Sequence, residues 1–359
     1  MLKSVPPLLC VIGPSGCGKT RLLEGVIPRL TAAGLRIGAI KHCGHVVQAE
    51  ASKDSSRLAL AGAEPSVAAA ADSLQVLSLG GEQSLVDLAA AFCADCDLVL
   101  VEGYSRSVHD KIAFANSSRV ESLEGTRLMI GDRADACPPD AGRVADWILE
   151  WHKGRTAWRL GLVGVVLTGG ASRRMGSDKS ELRLDGSRVL GRLCEILADR
   201  LGRVMIVGRR PSPEGLPLCA EWHPDDMPGL GPLGGIATAL RVASSAASGW
   251  AVLALACDMP AVDGALLDLI LAGRRTDAPA TAFLNAACGR VEPMPAIYEA
   301  SALATIRACL DGGGRSVGGW LVEAGAHAIP LPPEWMAKLA NMNSPEDLVA
   351  FRGERREAR

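Results

Sequence analysis

No apolar run in this chain approaches the length that a bilayer-crossing helix needs. The first residues, MLKSVPPLLCVIG, lack a basic stretch followed by a long apolar region and a cleavage site. Membrane and secretory readings are therefore set aside, and a cytoplasmic location with no membrane partner is expected. An excess of charge of either sign is missing as well. The formal net charge is −2, so nothing draws the whole molecule toward nucleic acid or an anionic surface. Any site for an anionic ligand must arise from local geometry. Short repeats and low-complexity segments are also absent, which argues against solenoids and disordered linkers. Cysteine is plentiful but unsuited to a disulfide framework. The count of 11 is odd, and many sit inside apolar runs, as Cys10 does in LLCVIG and Cys257 in LALACD, so buried reduced thiols are expected.

The 359 residues, 48% hydrophobic and 22% charged, suffice for two ordinary globular domains. Short apolar runs alternate with longer amphipathic stretches, the pattern of βα units and a largely parallel sheet. In the first half, strands are predicted at Leu8–Gly13, Arg36–His42 and Asp97–Gly103, with helices near Lys19–Ala33, Asp54–Ala63 and Ser84–Ala94. At Trp151–Arg159 the pattern breaks into the polar WHKGRTAWR, read as a linker. A new apolar strand, Leu162–Leu167, then opens on a second glycine-rich turn. Further strands are expected at Arg203–Val207, Trp250–Ala256, Ala280–Leu284 and Met294–Tyr298, with helices near Arg188–Leu201, Leu233–Ser245 and Gly264–Arg274. The charged run Arg352–Arg359 reads as a fraying tail. The fold class is α/β with two nucleotide domains, residues 1–155 and 160–359.

Gly13-Pro14-Ser15-Gly16-Cys17-Gly18-Lys19-Thr20 fits G-x-x-x-x-G-K-S/T and lies between a strand and a helix, the context that this phosphate loop requires. Its glycines let backbone N–H groups turn inward around phosphate oxygens. Lys19 brings a charge to the β- and γ-phosphates, and the Thr20 hydroxyl suits Mg²⁺. Glu102 ends the apolar strand that begins at Asp97, where such a domain holds its metal or attacking water, although an ordinary strand-end carboxylate would look the same. Lys41-His42-Cys43-Gly44-His45 would need further converging ligands to hold zinc, and a strand-end or phosphate-proximal role is favoured over a metal site. Cys93-Ala-Asp-Cys96 reads as a pair of structural thiols at a helix end.

GPSGCGKTRLLEGVIPRL, RIGAIKHCGH, SKDSSRLALAGAE and DLVLVEGYSRSVHDKI, in that order, resemble the MobB family of small GTP-binding proteins of molybdenum cofactor synthesis. That likeness covers about residues 6–150 and implies a P-loop NTPase-like domain. VVQAEA stands where the family carries an acidic, Pro-Gly-containing segment, which puts GTP hydrolysis by this domain in doubt.

The second glycine-rich opening, Leu167-Thr168-Gly169-Gly170, runs into Ala171-Ser-Arg173-Arg174-Met-Gly176-Ser-Asp178-Lys179. Attack on an α-phosphate needs close backbone approach, which Gly169 and Gly170 permit, and cations for the leaving pyrophosphate, which Arg173 and Lys179 supply. A solvated charge cluster on a surface loop is the plainer alternative. Asp258, ending an apolar strand in ACDMP, lies at a carboxyl edge where open α/β sheets place ligands and where a carboxylate can hold Mg²⁺. LTGGASRRMGSDKSEL, PDDMPGLGPLGGI and ACDMP together resemble the MobA family, the molybdenum cofactor guanylyltransferases, with a Rossmann-like nucleotidyltransferase fold, over about residues 162–352. Thr168 stands where alanine is usual, and Val207-Gly208 where an asparagine often is. The resemblance implies that Leu167, Thr168, Gly169, Gly170, Lys179, Asp225 and Asp258 contact GTP, with Asp258 also on Mg²⁺. It places Arg315, Asn341 and Asn343 on the pterin side, although Asn-Ser-Pro-Glu would also start a helix. GTP and the molybdenum cofactor are then the substrates. Molybdoenzyme apoproteins or cofactor-insertion proteins are candidate partners, and the N-terminal domain is a candidate homodimer contact. The alternatives are a cytidylyltransferase on the same pterin, a sugar-phosphate nucleotidyltransferase with the same loop, or a chain acting mainly as a GTP-binding adaptor.

Overall fold

The computed structural model describes residues 5–43, 54–78, 84–114, 125–130, 140–169, 181–184, 187–246, 250–285, 288–342 and 347. In the first half the order is β1 (Leu8–Ile12), α1 (Lys19–Ala32), β2 (Ile37–Lys41), α2 (Asp54–Leu60), β3 (Ser66–Ala69), β4 (Leu74–Leu77), α3 (Leu85–Phe92), β5 (Leu98–Glu102), β6 (Asp110–Phe114), β7 (Thr126–Ile130) and α4 (Ala141–Arg159). Five strands form a parallel sheet ordered β2-β5-β1-β6-β7, and β3 and β4 make a separate antiparallel ribbon. Strand side chains alternate between faces, and β1 divides accordingly. Leu9 and Val11 pack with Leu22, Val26 and Leu30 of α1 and with Val144 and Ile148 of α4. Leu8, Cys10 and Ile12 face α3 on the other side.

The second half runs β8 (Leu162–Leu167), β9 (Arg183–Leu184), β10 (Ser187–Arg188), α5 (Val189–Leu201), β11 (Val204–Val207), β12 (Ala220–His223), α6 (Gly231–Ala246), β13 (Ala251–Ala256), α7 (Gly264–Ala272), β14 (Ala280–Asn285), β15 (Arg290–Tyr298), α8 (Ala302–Asp311), α9 (Val317–Glu323) and β16 (His327–Pro330), then a 3-10 helix Pro333–Leu339. The seven-stranded sheet has the order β12-β11-β8-β13-β15-β14-β16. It is parallel except for β15, which runs against both of its neighbours. Residues of α5 and α7 share a core with the α3 side of the first sheet, so one apolar layer is continuous between the halves.

The stretch Trp151–Arg159, expected as a linker, is the last part of α4. Several of its polar side chains find tertiary partners. Trp151 Nε1 donates to Asp110 at 2.7 Å, His152 Nε2 meets the Asp97 carbonyl at 2.9 Å, and Arg159 donates to the Asp199 carbonyl at 2.6 Å. Periodicity counts apolar residues only, so a helix face buried through hydrogen bonds escapes it. The expected tail at Arg352–Arg359 lies outside the described residues.

Candidate functional site

The first site begins where β1 ends. Gly13 has φ +154, and a Cβ there would lie 2.9 Å from Cys17 Sγ and 2.9 Å from Phe114 Cβ, so only glycine fits between the loop and β6. Gly18, in the left-handed region at φ 97, is the residue from which α1 starts. Lys19 Nζ donates to the carbonyls of Gly13 at 3.0 Å and Pro14 at 2.6 Å, which holds the ammonium over the loop. Ser15 and Gly16 form the exposed crest, with Cys17 half-buried beside it. Thr20 Oγ1 donates to Glu102 Oε2 at 2.7 Å, and Lys41 Nζ lies 3.2 Å from Glu102 Oε1. Burial pushes the Glu102 carboxyl up. The Thr20 hydrogen bond and the Lys41 and Lys19 charges outweigh it and hold the group below the usual carboxylate range. The motif threonine and the strand-end acid, 82 residues apart, are thus brought together.

His42 packs against Tyr104, ring centroids 4.7 Å apart, with its backbone N–H on the Glu102 carbonyl at 2.9 Å. His45, the other half of the H-x-x-H pattern, lies outside the described residues. The sulfurs of Cys93 and Cys96 both converge on Gly38, where a Cβ would meet them at 2.9 and 3.2 Å. Burial raises the Cys93 thiol, as a structural cysteine requires.

The second site lies at the carboxyl edge of β8, β11 and β13. Leu167 and Thr168 are buried, and Gly169 is exposed at the start of the loop. Gly170, Arg173 and Lys179 lie outside the described residues. Thr168 ties the loop down: its N–H donates to the Val207 carbonyl at 2.9 Å and its hydroxyl to the Arg209 carbonyl at 2.8 Å. At Gly208, φ +121, a Cβ would sit 2.8 Å from Gly169 N and 3.1 Å from Thr168 Oγ1. Thr168 and Gly208, both departures from the related pattern, therefore fit each other. The backbone of Cys257 donates to the Leu167 carbonyl at 3.2 Å, setting Asp258 beside that loop. Asp258 is 7% exposed. Arg192 of α5 steadies the turn that follows by donating to the Pro260 and Val262 carbonyls at 3.1 and 2.6 Å. Just past the end of β12, Asp225 Oδ1 accepts from Met227 N at 2.9 Å and from Thr238 Oγ1 at 3.0 Å.

Met342 N donates to the Asp258 carbonyl at 2.8 Å, which brings the exposed Asn341 to the rim of this site from far along the chain. Asn343 lies outside the described residues. Arg315 lines a cleft of about 730 Å³ with Arg290, Glu292, Pro232 and residues 316–319 at the start of α9. Because β15 runs antiparallel to β13, its first residues reach the same sheet edge as Asp258. Nothing in the sequence marks Arg290, because a lone arginine after a turn has no motif around it.

One carboxylate at a strand end is a donor set that suits Mg²⁺, which keeps waters and takes phosphate oxygens for the rest of its shell. A closed cage is not what such a site needs, and among the described residues no group of three or more His, Cys, Asp or Glu side chains is placed to hold a metal. No helix among the described residues is long and apolar enough to cross a membrane.

Residues 164–324 match the family model of the MobA-like NTP transferase domain, and residues 8–129 match that of molybdopterin guanine dinucleotide synthesis protein B. A probable molybdenum cofactor guanylyltransferase of Opitutus terrae is 37% identical over 191 residues, covering 52% of this chain and 92% of that one. The molybdenum cofactor guanylyltransferase of Cereibacter sphaeroides is 33% identical over 194 residues, covering 52% and 94%. A molybdenum cofactor biosynthesis bifunctional protein of Synechocystis is 33% identical over 189 residues, 52% of each chain. Among solved structures, molybdopterin-guanine dinucleotide biosynthesis protein A of Archaeoglobus fulgidus aligns over 54% of this chain and 98% of its own at 23% identity and TM-score 0.44. The chain belongs to the molybdenum cofactor guanylyltransferase family, with a MobB-type domain joined ahead of the transferase domain.

Proposed function

We propose that the chain transfers GMP from GTP to the terminal phosphate of Mo-molybdopterin, forming the guanine dinucleotide cofactor and releasing pyrophosphate. The observation that carries this is the placing of Asp258 on one sheet edge, between the backbone of Leu167–Gly169 and the arginine-lined cleft at β15 and α9. On this reading a nucleotide lies along the Leu167–Gly169 backbone with Asp225 at its far side, and the acceptor enters from the cleft of Arg290 and Arg315, with Asn341 at the rim. Lys179 and Arg173 neutralise the departing pyrophosphate. The pterin phosphate attacks the α-phosphorus in line, so no covalent enzyme intermediate forms. The residues work by holding both reactants and matching developing charge. Asp258 would hold Mg²⁺, whose charge stabilises the α-phosphate oxygens when it is bound.

In the same proposal residues 1–155 form the GTP-binding unit and 160–359 the transferase. Thr20, hydrogen-bonded to Glu102, would hold Mg²⁺ at the first site. Leu58, Leu60, Val67 and Leu74, exposed on α2 and the β3–β4 ribbon, are the surface for a second copy or for a cofactor-insertion protein. A cytidylyltransferase differs only in the base accepted, and an adaptor would bind GTP without turnover. Label placed in the α-phosphate of GTP distinguishes these. It is expected in the pterin product, with the β- and γ-phosphates leaving together as pyrophosphate. Label remaining in GTP or appearing in GDP would refute the proposal.

A further inference from the structure

Helix α6 packs Ile236, Ala237, Ala239, Leu240 and Ala243 into the core, yet between them it buries a threonine, Thr238, at 2% exposure. Packing alone does not ask for a hydroxyl there. Burying one costs free energy unless it is hydrogen-bonded, and threonine also lowers helix propensity. The hydroxyl is satisfied on both sides by one neighbouring segment. Thr238 Oγ1 accepts from Asp226 N at 3.1 Å and donates to Asp225 Oδ1 at 3.0 Å. Met227 N adds a second hydrogen bond to Asp225 Oδ1 at 2.9 Å. Both bonds fall on the same oxygen, which steadies the carboxylate, and among the described residues no hydrogen bond engages Oδ2.

The geometry points to Thr238 as a positioning residue for nucleotide binding, acting through Asp225. It touches no substrate. It holds Asp225, a carboxylate of the 224–226 turn that can accept from the donor groups of a nucleoside triphosphate, its ribose hydroxyls or base N–H groups, while the neighbouring Asp226 is paired with Arg241. Without the hydroxyl, Asp225 keeps only its turn hydrogen bond and the Asp226 N–H loses its partner, so the carboxylate samples other rotamers. The expected penalty therefore falls on binding of GTP and not on the chemical step. This inference rests on Asp225 facing GTP, as in the proposed function.

Steady-state guanylyl transfer by the full chain tests it. Thr238→Val, which keeps shape and removes the hydroxyl, should raise KM for GTP about tenfold and change kcat less than about threefold. Thr238→Ser should restore KM to within about twofold. Asp225→Asn should raise KM at least as far, and adding Thr238→Val to it should cost nothing more. Melting temperatures check folding, and Thr238→Ala carries the same test if Thr238→Val does not fold. Unchanged KM in folded Thr238→Val, with KM raised in Asp225→Asn, would overturn the positioning role alone. Unchanged KM in Asp225→Asn would overturn both that role and the nucleotide reading of Asp225. Fully additive effects in the double variant would mean that Thr238 acts by another route.

Discussion

At the residue scale, the features that matter most are polar side chains held at strand ends by distant backbone. Asp258 is fixed from three directions: β13, the Arg192-held turn, and Met342 N on its carbonyl. These contacts are made to the main chain of this segment and not to the Asp258 carboxylate, so changing the carboxylate should spare the fold. Asp258→Asn is expected to melt within a few degrees of the parent and to lose transfer activity about a hundredfold or more. Thermal melts and initial rates on the same preparation check this. Near-parental activity in a folded variant would place the metal carboxylate elsewhere. The sequence exposed Asp258 because it closes an apolar strand. It did not expose Arg290 or Thr238, whose relevance depends on what the folded chain sets beside them.

At the element scale, strand–loop–helix order was legible wherever turn chemistry is demanding. β1, the Gly13–Gly18 loop and α1 follow from the motif. β6 was not legible, because Asp110-Lys111 opens it with two charges that a strand buries only when partners come from afar. Asp110 meets Arg127 at 2.9 Å as well as Trp151 and Arg155, and Lys111 Nζ donates to the carbonyls of Ser107 and His109 at 2.6 and 2.9 Å. The other end of β6 abuts the phosphate loop through Phe114 and Gly13. Gly13→Ala is therefore expected to push loop and strand apart, at a cost of roughly 1–3 kcal/mol. Calorimetric titration should show GTP stoichiometry fall from about two per chain to about one as the phosphate loop is lost. Retention of both sites would show that the loop tolerates the displacement.

At the scale of the whole molecule, the halves meet across a buried ionic cluster. His109, Asp110, Arg127 and Arg155 come from the first half, and Asp199, Arg200 and Asp268 from α5 and α7 of the second. Arg200 lies 3.3 Å from both Asp110 and Asp268, and His109 Nδ1 lies 2.8 Å from Asp199. At the start of α7 a Cβ on Gly264 would fall 1.9 Å from Arg200 NH2, so glycine makes room for the guanidinium. Burial alone would raise Asp110, but Arg155 and Arg200 outweigh it and lower the carboxyl from 3.8 to about 2. Burial likewise opposes ionisation of Asp199, and Arg200 and His109 again hold it low. Because each folded value lies below the unfolded one, protons bind the unfolded chain more readily. This stabilisation is complete above about pH 4 and is lost as pH falls toward 2. Asp110→Asn should cost roughly 3–5 kcal/mol at neutral pH and flatten the dependence of stability on pH between about 4 and 2. Denaturant unfolding across that range is the check. A variant with the parental pH slope would show that the cluster does not carry the acid sensitivity.

The assignment as a whole stands on the base accepted at the second site. The most direct measurement compares kcat/KM for GTP and CTP in dinucleotide formation on molybdenum cofactor by the purified full chain. GTP should be favoured by about a hundredfold or more, since a site built to hydrogen-bond one base leaves buried polar groups unpaired with another. Equal use of the two, or a preference for CTP, would contradict the guanylyltransferase account.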